Sequence, residues 1–404
     1  MKKALVIGIG ITGKAVIEYL LKNRWEIIAY DNFRNDKTLP CELIKDFEKI
    51  EVKQFDQVII SPGISLKHPL VEKALKEGIS VIGEAEFAFR KLKNPIIGIT
   101  GTNGKSTCVL QIAHVLNAFN KKAIALGNIG KPLISVVDEI DPDTIIVAEL
   151  SSFQLETMKA KVLHIATILN LSPDHLDRHE TMSNYMKEKL KIVKCLKDKG
   201  NFFIDDKLIG TYSHLLSDIK SIYPLKHQKA FAIEICKLFG VSEEEFQGAI
   251  KTFKNLNHRL QFVGKINGIK CFNDSKATNI DATCHAVRAI KKNIILLAGG
   301  RNKGANFASW NECFYHKVKK IILFGEAADR IKSELSETFS IEIVQTLGDA
   351  FTKGLQVGKE GDNLVLSPGC SSFDQFVNFE ERGNIFIRMV EDESKRYNIS
   401  CSAH

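Results

Sequence analysis

The sequence predicts an α/β protein of three domains: an N-terminal Rossmann-like domain, a central P-loop domain and a C-terminal Rossmann-like domain. A length of 404 residues exceeds what one hydrophobic core serves. Short apolar segments alternate with amphipathic helical ones, the rhythm of parallel sheets covered by helices. Two of the apolar segments run into glycine-rich turns, Gly8–Gly13 and Gly101–Gly104, each followed by a helix. Polar stretches at Arg90–Pro95 and Asn255–Arg259 read as linkers and set boundaries at 1–93, 94–255 and 256–404.

In the first domain, Ala4–Ile7 reads as a strand and Gly8, Gly10 and Gly13 as a GxGxxG turn. Ala15, Val16, Tyr19 and Leu20 then form one face of a helix. Glycine lets the backbone approach an anion, and a helix N-terminus favours negative charge. A second strand, Glu26–Tyr30, ends at Asp31, where a ribose-binding acid is expected. NAD is the first candidate, but any nucleotide diphosphate satisfies such a turn. Val58–Ile64, a helix over Leu70–Lys76 and a strand at Ile79–Ile82 complete the domain.

The central domain opens on an apolar strand followed by Thr100-Gly101-Thr102-Asn103-Gly104-Lys105-Ser106-Thr107 and a helix to Asn117. Here loop amides would cradle phosphate, Lys105 would reach the terminal phosphates and Ser106 would hold Mg²⁺. The strict pattern asks for glycine where this chain has Ile99, so the loop is a variant. A strand near Ala123 precedes a strand at Ile145–Ala148, which delivers Glu149 at its carboxyl end; there a carboxylate either completes a Mg²⁺ shell or caps a helix. A strand at His164–Leu169 leads into Asn170-Leu171-Ser172-Pro173-Asp174-His175-Leu176-Asp177-Arg178-His179. Pro173 argues for a loop, and that loop is read as lending His175 to the Mg²⁺–phosphate site; zinc between His175 and His179 lacks an HExxH frame.

In a helix over Met182–Leu196, Tyr185, Lys189, Ile192 and Leu196 share one apolar stripe, with Lys189 in its centre. A bare ammonium there is costly unless paired or chemically altered; the alternative is a lysine that snorkels to the surface. A strand at Asn201–Ile204 and helices at 228–239 and 243–253 end the domain.

The third domain starts with a hairpin, Gln261–Ile266 and Ile269–Phe272, turning at Asn267-Gly268. It continues into Asn273-Asp274-Ser275-Lys276-Ala277-Thr278-Asn279 and a helix to Ile290. Strands at Ile294–Leu297, Ile321–Phe324 and Leu364–Leu366 follow, with polar turns around Lys303 and Ser372.

Composition narrows the function classes. The apolar and charged fractions are those of an ordinary globular protein, and the net charge of +8 is spread over lysine-rich helices with no basic block. No nucleic-acid partner is therefore expected. The nine cysteines show no CxxC pair, which favours reduced thiols over a disulfide frame or a zinc site. The chain starts directly with a strand and contains no bilayer-length apolar run, so the expectation is a cytoplasmic monomer without a membrane partner. Ser400–His404 reads as a disordered tail.

Thr100–Ser106, Glu149-Leu150-Ser151-Ser152-Phe153-Gln154, Asp174-His175-Leu176-Asp177, His258-Arg259 and Asn273–Asn279, taken in order, resemble the Mur ligases of peptidoglycan synthesis, closest to the D-glutamate-adding members. The resemblance covers nearly the whole chain. It implies a UDP-substrate domain, a central ATPase domain and a mobile C-terminal domain whose closure shields an acyl phosphate. The reaction it implies uses ATP and Mg²⁺ at two sites to join D-glutamate to UDP-N-acetylmuramoyl-L-alanine.

By that resemblance, the catalytic residues are Lys105, Glu149, His175, Lys189 and His258, and the metal ligands are Ser106, Glu149, His175 and Lys189, with Lys189 carbamylated. ATP is held by Gly101, Thr102, Asn103, Gly104, Lys105, Ser106, Thr107, Arg259 and Asp274. The UDP-substrate maps to Gly10, Ile11, Thr12, Asp31, Asn32, Arg34, Ser61 and Asn128. D-glutamate maps to Lys276, Thr278, Lys303, Ser372 and Phe379. Gln228 and Phe231 stand where the family carries asparagines, one of which touches adenine. A folylpolyglutamate synthase-like ligase is the nearest alternative, but its folate pocket has no need of the Gly8–Gly13 turn; an NAD-linked dehydrogenase leaves the phosphate loop and Glu149 without roles.

Overall fold

The computed structural model describes residues 1–401 except 35, 220, 255, 336 and 338, with the backbone alone over 397–401. The chain forms an α/β structure with three sheets in two compact units, Met1–Leu171 with Ser183–Phe253, and Ser172–Met182 with Lys254–His404.

The first unit holds two sheets. In one, strands β1 (Lys3–Ile7), β2 (Glu26–Tyr30), β3 (Glu42–Ile44), β4 (Gln57–Ile60) and β5 (Val81–Gly83) run parallel in the order β3-β2-β1-β4-β5. The other contains β6 (Ile96–Thr100), β7 (Ala123–Gly127), β8 (Ile145–Glu149), β9 (Leu163–Ile168), β10 (Leu196–Asp205) and β11 (Tyr223–Leu225), parallel in the order β11-β10-β9-β6-β8-β7. In both, the strands read as continuous apolar runs because helices cover both faces. The strand carrying each glycine-rich turn, β1 or β6, is central, so the turn opens beside the carboxyl ends of its neighbours.

Within the stretch read as the first linker, Leu92 and Asn94 are buried while Arg90, Lys91 and Lys93 are exposed. Phe87, Phe89 and Leu92 pack in one apolar cluster with Val6, Leu133 and Ile134, and the buried Asn94 donates to the carbonyls of Asp141 and Thr144. Glu84 accepts from Ile134 N–H at 2.7 Å, and Glu86 accepts from the Lys159 and Ala160 amides. These buried carboxylates satisfy backbone donors of the buried Ile134 and of Lys159–Ala160.

The second unit holds β12 (Gln261–Ile266), β13 (Ile269–Asn273), β14 (Ile294–Gly299), β15 (Val318–Phe324), β16 (Ile341–Ile343) and β17 (Asn363–Gly369), in the order β12-β13-β17-β14-β15-β16. The β12–β13 hairpin is antiparallel and the other pairings are parallel.

Several boundaries depart from the sequence reading. The strand expected at Ile79–Ile82 occupies Val81–Gly83, the helix expected to Leu196 ends at Lys194, and that expected to residue 253 stops at Ala249 before a short 3-10 turn. The short edge strands β3, β11 and β16 and the helices Glu84–Phe89 and Phe379–Cys401 carry weak local signals and form through tertiary packing, whereas the helix Leu347–Val357, absent from the sequence reading, is legible in its Thr346–Asp349 capping box. Of the expected tail, Ser400 and Cys401 close the helix Phe379–Cys401, and 402–404 lie outside the described residues.

Candidate active site

The phosphate loop follows β6. Gly101 (φ +148°) and Gly104 (φ +80°) take conformations that a side chain resists, and the helix Lys105–Ala118 starts at once behind them. Lys105 Nζ folds back to donate to the carbonyls of Gly101 (2.9 Å) and Thr102 (2.8 Å). From the helix Met182–Lys194, Lys189 reaches the same turn: it is 1% exposed, donates to Gly101 O at 2.8 Å and lies 4.4 Å from the centre of the Tyr185 ring. The helical stripe thus places Lys189 inside, against the loop, and the snorkelling alternative is not what the fold adopts.

Glu149 ends β8, directly opposite Ile99 in register. Its Oε1 accepts from Asn128 Nδ2 at 2.9 Å, while Oε2 is buried with no hydrogen-bond partner among the described residues. An open carboxylate oxygen in the interior is costly. A hard cation is the partner such an oxygen suits, and Ser106, in the first turn of the helix that follows the adjacent strand β6, offers a second oxygen; the residues fit Mg²⁺. His175 belongs to the second unit, whereas Ser106, Glu149 and Lys189 belong to the first.

The loop is also gripped by two carboxamides. Asn170 accepts from the Thr102 and Asn103 amides and donates to Asn103 O, and Gln228 donates to Gly104 O at 2.9 Å. Asn170 carries no role in the sequence reading; its one signal there is a polar residue just past a strand end. Phe231 is fully buried in the core beneath this sheet, and so presents no polar contact to a base.

Around the first glycine-rich turn, Asp31 accepts from the amides of Ile9, Phe33 and Arg34. The Ser61 hydroxyl donates to Gly8 O at 2.8 Å, and a methyl at Gly13 would overlap that same carbonyl oxygen. Asp31 and Ser61 therefore shape the turn itself. Gly10 precedes the helix Ile11–Lys22; Ile11, Asn32 and Arg34 are exposed beside it and Thr12 is half-buried.

In the second unit, His258 (φ +61°) is buried and accepts at Nδ1 from Asn273 Nδ2 at 2.9 Å, which leaves the ring proton on Nε2. Burial lowers its pKa, with Lys276 acting the same way and Glu380 opposing. A Cβ at Gly383 would overlap this ring, so that glycine makes its place. Asp274 accepts from the Ser367 hydroxyl and the Leu260 amide; burial pushes its carboxyl up to about 7 against those bonds and the nearby Arg259.

Lys276 Nζ stands 3.6 Å from the centre of the Phe379 ring. Thr278 follows on the same loop, before Asn279 caps the helix Ile280–Ile290. Lys303 pairs with Asp174 at 3.0 Å, and Asn279 donates to the other Asp174 oxygen. Burial favours the neutral Asp174 carboxyl, but Lys303, His175 and Asn279 outweigh it and hold the pKa below the usual range. The fully buried Arg382 donates to Ser275 Oγ, Ser275 O and Cys370 O, joining the Lys276 loop to the loop carrying buried Ser372. Sequence reasoning missed Arg382 because its helix carries too weak a local signal.

The chain matches three family descriptions in succession: the Mur ligase MurD-like N-terminal domain over residues 2–83, the Mur ligase middle domain over 99–269 and the Mur ligase glutamate ligase domain over 258–370. It is 39% identical to the UDP-N-acetylmuramoylalanine–D-glutamate ligase of Protochlamydia amoebophila, the match covering 96% of this chain and 98% of that one. It is 36% identical to the enzyme of the same name from Thermoanaerobacter sp., over 97% and 98% of the two chains. Among solved structures, the MurF ligase of Thermotoga maritima in complex with ADP superposes with a TM-score of 0.63 at 14% identity, covering 98% of this chain and 95% of that one; this likeness is one of fold. With its three sheets, its phosphate loop and its 36–39% identity to these enzymes over nearly the whole chain, the chain belongs to the Mur ligase family.

Proposed function

We propose that the protein is an ATP-dependent, ADP-forming acid–amino-acid ligase that joins D-glutamate to UDP-N-acetylmuramoyl-L-alanine in peptidoglycan precursor synthesis. The observation that carries this reading is the Glu149 carboxylate, with one oxygen open and buried, at the strand end beside a phosphate loop that also receives the buried Lys189. The relatives named for this reaction supply the substrates.

Phosphoryl transfer from ATP to a carboxylate needs charge neutralisation and alignment rather than covalent help from the protein. Lys105, now bonded to loop carbonyls, would exchange them for phosphate oxygens, and the amides from Gly101 to Thr107 would orient the triphosphate. Mg²⁺ at two sites, when bound, would draw charge from the transferring phosphoryl group. Ser106, Glu149, His175 and a carbamylated Lys189 would hold it. His258, a neutral imidazole with its proton on Nε2, would serve the reacting centre as a donor. Arg259 and Asp274 would meet the nucleotide.

Residues 1–93 would bind the UDP part through Gly10, Ile11, Thr12, Asp31, Asn32, Arg34 and Ser61, with Asn128 from the central part, 94–255. Residues 256–404 would bind D-glutamate through Lys276, Thr278, Lys303, Ser372 and Phe379. The amine then attacks the acyl phosphate and phosphate leaves. We place the enzyme in the cytoplasm as a monomer; among the described residues no helix is long and apolar enough to cross a membrane. The deciding experiment measures phosphate release from ATP with UDP-N-acetylmuramoyl-L-alanine and D-glutamate supplied singly and together. Release that depends on both is expected; release without D-glutamate, or with a folate substrate in its place, would sink the assignment.

A further inference from the structure

We propose that Asn170 is a positioning residue of the phosphate loop, holding it ready for nucleotide before any nucleotide arrives. The inference rests on the reading of this loop as the ATP site.

Asn170 stands two residues beyond β9, whose Ile168 pairs with Thr100 at the end of β6. Its carboxamide oxygen accepts from Thr102 N–H at 3.1 Å and from Asn103 N–H at 2.8 Å, and its carboxamide nitrogen donates to Asn103 O at 2.9 Å. The backbone carbonyl of Asn170 accepts from Thr102 N–H as well, at 3.2 Å. The approach depends on Gly101: a Cβ there would lie 3.1 Å from the Leu169 Cβ and 3.4 Å from the Asn170 backbone.

The position selects a carboxamide. Two loop donors and one loop acceptor must be satisfied together, and a carboxamide offers both functions without charge. Aspartate would serve the donors, lose the bond to Asn103 O and add a negative charge beside a phosphate site. An apolar residue would leave the Asn103 N–H and C=O to find water or strain, and Thr102 N–H with the Asn170 backbone carbonyl. A loop already fixed by its own protein loses less freedom when ligand binds, so the bonds contribute to affinity although Asn170 itself need not touch the nucleotide.

The test uses the full chain with Asn170→Ala and Asn170→Asp. Amide hydrogen exchange is read at Thr102 and Asn103 without nucleotide, beside steady-state KM values for all three substrates and the thermal midpoint. Asn170→Ala is expected to speed exchange at Asn103, and less at Thr102, whose N–H keeps the Asn170 backbone carbonyl, and to raise the KM for ATP about tenfold or more, the scale of losing such bonds, with the other two KM values within about twofold. Asn170→Asp is expected to keep the amide protection yet still weaken ATP, because acceptance survives and the charge does not suit phosphate.

Unchanged exchange in Asn170→Ala overturns the proposal. So does lost protection with an unaltered KM for ATP, or a parallel rise of all three KM values with a collapsed melting temperature. Should Asn170→Ala not fold, full ATP affinity in Asn170→Asp overturns it. A wild-type chain that released no phosphate would sink the ligase reading instead, and the nucleotide-free exchange would still decide whether Asn170 holds the loop.

Discussion

Lys303 Nζ lies 3.0 Å from Asp174 Oδ1, and both side chains are largely buried within the second unit. Asp174 comes from the short segment Ser172–Met182 and Lys303 from the turn after β14, so one ion pair ties that segment to this sheet. Removing one partner of a buried pair leaves the other charge uncompensated. Asp174→Asn should therefore destabilise by about 3 kcal/mol, low in the range for buried pairs because Lys303 keeps some contact with water. The folded-state pKa of Asp174 is depressed, so its contribution is present above the unfolded value of about 4 and is lost as pH falls through the folded one. Urea unfolding of both proteins across acid pH checks this; equal stability at neutral pH would refute it.

Glu84 gives the opposite pH dependence. It is 2% exposed, and burial raises its carboxyl from 4.5 to about 7 despite bonds from the Ile134 and Leu133 amides. A raised folded pKa means stability is full below about pH 4.5 and falls as pH rises through about 7, by on the order of 3 kcal/mol. Glu84→Gln keeps an acceptor for Ile134 and removes the charge. It should flatten that part of the stability–pH curve and be at least as stable as wild type at pH 8, as followed by thermal melts.

Lys189 donates to Gly101 O and, more distantly, to Thr100 Oγ1, in a cradle closed to water. If it works as a carbamate, Lys189→Ala should lose about three orders of magnitude in kcat, the scale of removing a transition-state charge stabiliser. Short-chain carboxylic acids should restore part of that activity. Intact-mass or density evidence for added CO₂ on wild-type Lys189 is the independent check. Failure of both rescue and mass would end the carbamate reading.

Lys105→Ala should abolish turnover while leaving UDP-substrate affinity unchanged, because the first glycine-rich turn belongs to a different sheet of the first unit. Calorimetric titration of the UDP-substrate separates these effects. A joint loss of binding and turnover would point to misfolding of the unit.

Much of this architecture is legible in the linear order of residues. Gly8–Gly13 and Gly101–Gly104 announce strand-to-helix turns because glycine alone adopts such backbone angles cheaply, and β1 and β6 precede them as expected. The helical spacing of Tyr185, Lys189 and Ile192 puts Lys189 on the inward face, and the fold buries all three. Helix Phe379–Cys401 is not legible in this way, since its face is amphipathic only in part and its burial comes from β12, β13 and the helix Leu347–Val357. The same holds for Arg382, whose acceptors lie about a hundred residues away at Ser275 and nearby at Cys370.

By itself, then, the sequence determined where strands meet phosphate-binding turns and that Lys189 lies on the apolar stripe of its helix, because those depend on local backbone freedom and helical period. Only the tertiary structure decided that Asn170 and Gln228 grip the loop, that one Glu149 oxygen stays open, and that Asp174 pairs with Lys303. The first and last of these unite residues distant in the chain, the open oxygen depends on which groups the fold brings to the strand end, and no local preference specifies either.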